Sequence, residues 1–276
     1  MKHCKTSLST LAAAALLSGC ALPRDADPQP GVRKETVVAV LGNGELVRLN
    51  AGDPARPTHR VALKGLAAGE TLVGIDFRVS HGVLYALSSS GRLLKVDVAS
   101  GRLDPVGSQP VALQGRRFGI DFNPTVDRVR VVSDSGQNLR LHPETGAVVA
   151  VDPALNGASA SGVSAAAYTY NKQDAKLTTN YAIDARQGLL VRQGSLEGAQ
   201  PAVSPNTGRI EVVGALGSGP VDDVSFDIAD VDNTALAALT QHGRTRLVQI
   251  DLASGRAQTL GTLAKGVAVW GIAIEP

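Results

Sequence analysis

The feature that most constrains this chain is an internal repeat. Residues 73–77 (VGIDF) return as residues 118–122 (FGIDF), so that Asp76 and Asp121 lie 45 positions apart. Two Ser/Thr-Gly turns downstream keep the same offset. Each copy contains four short runs of alternating polarity separated by Gly turns. Four strands in about 45 residues is the size of a β-propeller blade.

Weaker copies follow, and the last one is incomplete. Units begin near residues 163 and 223, whereas 270–274 (WGIAI) match only the first strand of a unit. The missing strands are predicted at the other end of the chain, at 36–40, 45–50 and 59–63. We therefore predict an all-β propeller of five four-stranded blades, one of them closed by both termini, since closure removes open sheet edges. A β-sandwich with a chance duplication and a solenoid are the alternatives.

A family resemblance rests on two stretches. Residues 118–141 (FGIDFNPTVDRVRVVSDSGQNLRL) and 72–78 (LVGIDFR) resemble the bacterial domain-of-unknown-function 4394 family. The resemblance spans most of 36–275 and is most specific over 118–146. It implies an exported β-propeller-like protein and carries no assigned activity.

The N-terminus has the pattern of an export signal. A basic start is followed by an apolar stretch at 11–17, too short for a stable membrane anchor of about 20 residues. The stretch ends in Leu-Ser-Gly-Cys at 17–20, which resembles the lipobox of bacterial lipoproteins. We predict a signal peptide at 1–19 and a lipid, including palmitate, on Cys20. The alternative is an ordinary secretory signal with an incidental cysteine.

The same resemblance predicts where the protein resides. Residue 21 is alanine rather than the aspartate that favours inner-membrane retention, so we expect an outer-membrane lipoprotein facing the periplasm. Residues 20–34 are rich in proline and predict a semi-extended tether. Residues 35–276 form the predicted propeller domain.

Charge and cysteine usage narrow the possible functions. Loss of Lys2 and Lys5 with the signal peptide leaves 25 basic side chains, equal to the 25 acidic ones, which argues against a nucleic-acid partner. The cysteines are Cys4, removed with the signal, and Cys20, so disulfides and thiolate sites are excluded from the domain. The histidines show no paired ligand spacing. We expect no metal and no cofactor beyond the covalent lipid.

Two groups of polar residues are candidate binding residues. Asp76 and Asp121 occupy equivalent positions, for which the repeat alignment gives Ser225 and Ala273 in two other units. One interpretation is that these two aspartates bind a cation or a polar ligand in a central channel. The other, which we favour, is that they accept hydrogen bonds from backbone N–H groups. The second group clamps an anionic ligand, forms inter-blade ion pairs with Asp127 and Asp134, or lies on a solvated face. Its members are Asn123, Arg128, Arg130, Asp134, Asn138 and Arg140.

Three functions remain open. The favoured hypothesis is a non-enzymatic binding or scaffold module tethered to the membrane by its lipid, with an envelope protein or a small polar ligand as partner. The first alternative is a hydrolase or lyase that uses a divalent cation and the carboxylates of Asp76, Asp121 and Asp227. The second alternative is a structural spacer without a specific ligand.

Overall fold

The chain forms five four-stranded antiparallel sheets arranged as a five-bladed β-propeller, as the repeat predicts. The computed structural model describes Met1 and residues 26–276. The predicted signal peptide beyond Met1, Cys20 and the start of the tether lie outside these residues. Within the described residues, three short 3-10 helices occur, at Val79–His81, Ala160–Gly162 and Pro205–Thr207. None of the described helices is long and apolar enough to cross a bilayer.

Blades 2 and 3 arise from the clearest copies of the repeat, and their strands follow chain order from the channel outwards. The four short runs predicted in each of these copies are strands in the structure. Blade 2 contains β4 (Leu72–Arg78), β5 (Val83–Ser88), β6 (Leu93–Val96) and β7 (Leu103–Val106). Blade 3 contains β8 (Phe118–Asn123), β9 (Arg128–Ser133), β10 (Asn138–Leu141) and β11 (Val148–Val151).

Blades 4 and 5 correspond to the degenerate copies. The outermost strand of blade 5 is the longest of its sheet, because bulges opposite its partner strand allow pairing to continue to Lys265. Blade 4 contains β12 (Val163–Tyr168), β13 (Asn180–Asp184), β14 (Leu189–Gln193) and β15 (Ile210–Ala215). Blade 5 contains β16 (Asp223–Ile228), β17 (Ala235–Gln241), β18 (Arg244–Ile250) and β19 (Ala257–Lys265).

Blade 1 is assembled from both ends of the chain. Val38 lies opposite Ala273 and Ala39 lies opposite Ile272, so the C-terminal strand pairs with the N-terminal one. The predicted closure is therefore confirmed. The blade contains β20 (Val269–Ile274), β1 (Thr36–Leu41), β2 (Glu45–Asn50) and β3 (His59–Ala62).

The five inner strands surround a narrow central channel. Strand β20 contacts β4, and contacts then continue through β8, β12 and β16 back to β20. The repeated glycine of the motif fits this close approach. A Cβ at Gly74 would lie 2.6 Å from Ile120 Cδ1, and one at Gly119 would lie 2.5 Å from the backbone nitrogen of Ala166. Glycine thus lets adjacent inner strands approach where a side chain would collide.

The core lies between the faces of adjacent blades. Tyr85 of blade 2 and Phe122 of blade 3 pack edge to face, with ring centroids 5.0 Å apart, a geometry that stabilises by about 0.5–1.5 kcal/mol beyond burial. The aromatic side chains of Phe77, Phe122, Tyr168 and Phe226 on the inner strands are buried. Trp270 packs against the cluster between blades 1 and 2 but is partly exposed, because it lies at a mouth of the channel.

The end of the predicted tether lies against the ring. Asp27 accepts hydrogen bonds from Arg244 Nη2 at 2.9 Å and from the backbone N–H of Thr262 at 3.0 Å, both on blade 5. Arg33 donates from its backbone N–H to Asn50 Oδ1 at 2.9 Å, on blade 1. The chain therefore enters the propeller along the outer part of blade 5.

Candidate functional site

Three buried carboxyl groups meet in the channel. Each inner strand is an edge strand and pairs with a neighbour on one side only. The backbone N–H groups on its other side have no partner strand and face the channel. Asp76 on β4, Asp121 on β8 and Asp227 on β16 are 3–6% exposed. One carboxyl oxygen from each residue lies within 4.8 Å of the other two. The sequence analysis gave Asp76 and Asp121 as candidate binding residues and named Asp227 beside them in the enzyme alternative. The structure brings the three carboxyl groups together.

The hydrogen bonds of Asp227 correct the repeat alignment. Asp76 accepts from the N–H of Phe77 at 2.8 Å and from Phe122 of the next blade at 2.7 Å. Asp227 makes the same pair of bonds, to Ile228 and to Ile274 of the next blade, both at 2.6 Å. Asp227 is therefore the equivalent of Asp76, and the predicted equivalence of Ser225 is wrong.

The alignment failed because blade 5 lacks the Gly-Ile-Asp-Phe motif. Its Ser-Phe dipeptide at 225–226 imitates the Asp-Phe pair two residues too early. Ser225 instead lies one pleat before Asp227, where its Oγ accepts from the N–H of Ile272 at 2.8 Å. The predicted equivalence of Ala273 with Asp76 is consistent with the next residue, Ile274, whose N–H donates to the aspartate of the preceding blade as Phe122 does.

Acceptors and donors in this layer do not match in number. The three carboxyl groups offer six oxygens to the five N–H groups that face them, because blades 1 and 4 carry Ala273 and Ala167 at the same position. The N–H of Tyr168 interacts with Asp121, and Phe122 already donates to Asp76. Asp121 Oδ1 is left buried without a hydrogen-bond partner. Such an orphaned acceptor is uncommon in native proteins and calls for an explanation.

Burial and mutual repulsion control the charge of the set. Burial, reinforced by the negative charge of Asp227, raises the pKa of Asp76 well above its usual range. Burial likewise raises the pKa of Asp121, with Asp76 and Asp227 adding to the effect. Burial raises the pKa of Asp227 to about 6, although its backbone N–H donors oppose the shift. Three carboxylates this close are not all ionised without a compensating positive charge.

Two further features border the inner strands. Tyr170 follows β12, and its backbone is fixed to blade 5: its N–H donates to Asn233 Oδ1 at 2.7 Å, and Asn233 Nδ2 donates to its carbonyl at 3.0 Å. Burial raises the pKa of the Tyr170 hydroxyl, and the negative charges of Asp76, Asp121 and Asp227 add to the effect. A pocket of about 10 Å³ beside Phe118 and Trp270 has room for about one water molecule.

The polar residues of blade 3 do not converge on one open site. Arg130 is 1% exposed and spans blades 3 and 4. Its guanidinium donates to Tyr168 Oη, Asn138 Oδ1 and Asn206 Oδ1, each at 2.5 Å, and to Asp152 Oδ2 at 3.2 Å. Arg130 and Asn138 are thus enclosed in an inter-blade network.

The remaining predicted binding residues have local partners. Arg140 makes two bonds of 2.9 Å to Asp152 and borders the surface. The other three shape loops. Asn123 accepts from the N–H and hydroxyl of Thr125, Arg128 donates to the carbonyls of Val126 and Asp127, and Asp134 accepts from the N–H groups of Arg116 and Arg117.

One expected inter-blade ion pair is present with a different partner. Asp127 pairs with Arg78 of blade 2, at 2.9 Å and 2.6 Å, rather than with an arginine of its own blade. Asp134 makes no such pair in the described chain, because its carboxylate serves the preceding loop. The hypothesis of one arginine clamp across blade 3 is therefore not supported by the contacts.

A large basic cleft on blade 5 was missed by the sequence reasoning. It has a volume of about 870 Å³, and its wall includes His242, Arg244, Arg246 and Arg256. The signal was available, because Arg244 and Arg246 are two residues apart on one strand and so share a face. Arg244 also binds Asp27 of the tether segment.

Comparison with known proteins places these features in context. The sequence profile of a family described as Domain of unknown function (DUF4394) matches residues 45–273. No curated protein matches the chain.

Solved structures give weak overall likenesses. A chain of the nidogen/laminin complex is 12% identical, with a TM-score of 0.44, covering 88% of this chain and 98% of that one. A structural genomics protein of unknown function from Bacteroides thetaiotaomicron is 15% identical, with a TM-score of 0.48, covering 85% and 60%. The dihydro-heme d1 dehydrogenase NirN in complex with DHE is 16% identical, with a TM-score of 0.36, covering 85% and 46%.

Proposed function

The chain belongs to the DUF4394 family, and from this premise we propose that it is a non-enzymatic binding or scaffold module, lipid-anchored at Cys20 in the outer membrane and facing the periplasm. The observation that carries the proposal is the basic cleft on blade 5. Its volume of about 870 Å³ lies within the range of roughly 300–1,000 Å³ typical of ligand pockets.

The chemistry of the cleft favours an anionic ligand. Arginine side chains bind carboxylate or phosphate groups through paired N–H donors. Arg256 is exposed at the turn that precedes β19, where an acidic group of a partner can reach it. The proposed ligand is therefore a carboxylate-bearing or phosphate-bearing envelope component.

The tether supports a location close to the membrane. Asp27 is hydrogen-bonded to Arg244, a residue of the cleft wall. Cys20 lies seven residues before Asp27, and seven residues of fully extended chain span at most about 25 Å. A lipid on Cys20 would hold the cleft close to the membrane surface.

Anchoring is tested by replacing the lipidated residue. Cys20→Ser should move the protein from the membrane fraction to the soluble periplasmic fraction, and mass spectrometry should find a lipid on the N-terminal cysteine of the unaltered protein. An unmodified cysteine, or unchanged fractionation of the variant, would reject the lipoprotein assignment.

Binding is tested separately by crosslinking in whole envelopes. Arg256→Glu should abolish the capture of a partner that the unaltered protein captures reproducibly. The matched control is Arg102→Glu, since Arg102 follows a Gly turn in blade 2 as Arg256 does in blade 5. Equal capture by both variants would remove the cleft from the proposal, and absence of any reproducible partner would favour a structural spacer.

A second function is favoured by one observation alone. Convergence of Asp76, Asp121 and Asp227 is compatible with a hydrolase or lyase that uses a divalent cation. Their exposure of 3–6% leaves no open path for a substrate to the carboxyl oxygens. We therefore retain the binding module as the proposed function.

A further inference from the structure

The channel carboxyls are arranged as anions rather than as neutral acids. Asp76 and Asp227 each accept two backbone N–H groups, donors that stabilise the charged form of a carboxylate. A protonated carboxyl needs an acceptor for its own hydrogen. Asp121 Oδ1 has no hydrogen-bond partner of either kind in the described chain, so protonation there would leave the added hydrogen unbound.

The orphaned oxygen points to a ligand that hydrogen bonding does not supply. Asp121 is 97% buried, on a strand that packs between β4 and β12. One of its carboxyl oxygens lies within 4.8 Å of an oxygen of Asp76 and of Asp227. A cation between the three groups would bind the free oxygen and offset the repulsion among them. The other oxygens each accept a single N–H and retain a second lone pair for the same ion.

The donor set selects the class of ion. All three groups are carboxylates, which suit hard cations and not the soft metals that thiolate and imidazole bind. Calcium takes oxygen ligands at about 2.3–2.6 Å in flexible geometry, so oxygens on opposite sides of the ion are about 4.6–5.2 Å apart. The three oxygens within 4.8 Å of one another fit around such an ion. Magnesium at about 2.1 Å requires a tighter octahedron and keeps several waters, which this buried layer has little room for.

We propose that Asp76, Asp121 and Asp227 bind one Ca²⁺ ion in the central channel. The ion joins the inner strands of blades 2, 3 and 5, which are separated in the chain by up to about 150 residues. Because the three residues are only 3–6% exposed, this is a structural ion that stabilises the closed ring, independent of the basic cleft.

Metal content and thermal unfolding test the proposal in the full-length protein, purified in detergent without chelator. Elemental analysis should find about one calcium per chain. After removal of calcium with EDTA, adding it back to about 100 times its Kd should raise Tm by about 5–10 °C. Magnesium at the same concentration should give less than about half of that rise.

Two variants distinguish a calcium site from a structural hydrogen-bond layer. Asp121→Asn should reduce the calcium content to background and abolish the Tm rise. Ser225→Ala is the matched control, because it removes an inter-blade hydrogen bond one pleat away without removing a carboxylate, and it should keep both responses. If Asp121→Asn does not fold, Asp227→Asn is measured in its place.

The proposal is overturned if the unaltered protein carries no calcium and its Tm does not respond to calcium after chelation. It is also overturned if Asp121→Asn binds calcium as tightly as the unaltered protein does. These results leave the basic cleft untouched, since Arg256 lies on the outer part of blade 5.

Discussion

Blades 2, 3 and 5 carry an aspartate at a position where blades 1 and 4 carry alanine, and this difference determines how adjacent blades are joined. Phe122, Tyr168 and Ile274 lie in blades that come directly after an aspartate-bearing blade, and their backbone N–H groups interact with the carboxyl group of that preceding blade. Phe77 and Ile228 lie in blades that come after an alanine-bearing blade, and their N–H groups donate to the aspartate of their own strand.

The comparison explains why one oxygen is orphaned. Blade 3 is the blade that both carries an aspartate and follows an aspartate-bearing blade. The N–H that Asp121 would otherwise bind is already taken by Asp76. An irregular distribution of aspartate around a regular ring thus produces one acceptor too many, at the place where the three carboxyl groups meet.

The largest expected effect concerns the junction between blade 3 and the alanine-bearing blade 4. Arg130→Met should lower the free energy of unfolding by about 3–5 kcal/mol, because Tyr168 Oη, Asn138 Oδ1 and Asn206 Oδ1 all lose a charged donor. Asp152 keeps its pair with Arg140. Guanidinium chloride unfolding measures this change. Arg128→Met, which loses only bonds to two loop carbonyls, serves as the control. A loss below 1 kcal/mol (roughly the value of one ordinary hydrogen bond) would indicate that the aspartate layer alone joins these blades.

The next effect compares the aspartates with one another in EDTA. Asp76→Ala should cost about 2–4 kcal/mol, since the N–H groups of Phe77 and Phe122 both lose their acceptor. Asp121→Ala should cost less, because one N–H interacts with that carboxyl and its other oxygen is unpaired. Urea unfolding of both variants gives the order. The reverse order would contradict the account of donors and acceptors.

A smaller effect is expected at Ser225, which lies two residues before Asp227 on the same inner strand. Ser225→Ala should cost about 1 kcal/mol, the usual net value of one hydrogen bond, through loss of the bond to Ile272. Differential scanning calorimetry resolves a change of this size. Ser254→Ala, in a turn at the outer end of the same blade, is the comparison. Equal effects at the two positions would show that the inner junction has no special weight.

The smallest expected effect concerns Tyr170, which we distinguish from the three proposed calcium ligands. Tyr170→Phe should change the free energy of unfolding by less than about 0.5 kcal/mol, because the hydroxyl has no hydrogen bond among the described residues. The calcium-induced rise in Tm should persist. Its loss would make the Tyr170 hydroxyl a part of the ion site.

Sequence reasoning succeeded where the repeat carried a geometric requirement. Gly74 and Gly119 are fixed by the approach of neighbouring inner strands, so their motif identified the blades. The incomplete last unit predicted the closure, because an unpaired edge needs a partner. The number of blades followed from these two observations together with the weaker copies that begin near residues 163 and 223.

The site was harder to predict because it depends on distances between blades. Asp227 lies in a strand without the motif, so its equivalence to Asp76 is visible only in its bonds to Ile228 and Ile274. Arg130 resembled a ligand clamp because enclosure by blade 4 cannot be read from blade 3 alone. The predicted lipid on Cys20 stays a prediction.

The most direct measurement is a crystal structure of the protein grown in calcium, with an anomalous difference map of the channel. The account predicts one peak at about 2.3–2.6 Å from an oxygen of each of Asp76, Asp121 and Asp227. A channel in which two of these carboxyl groups share a short hydrogen bond, with no anomalous peak between them, would contradict it.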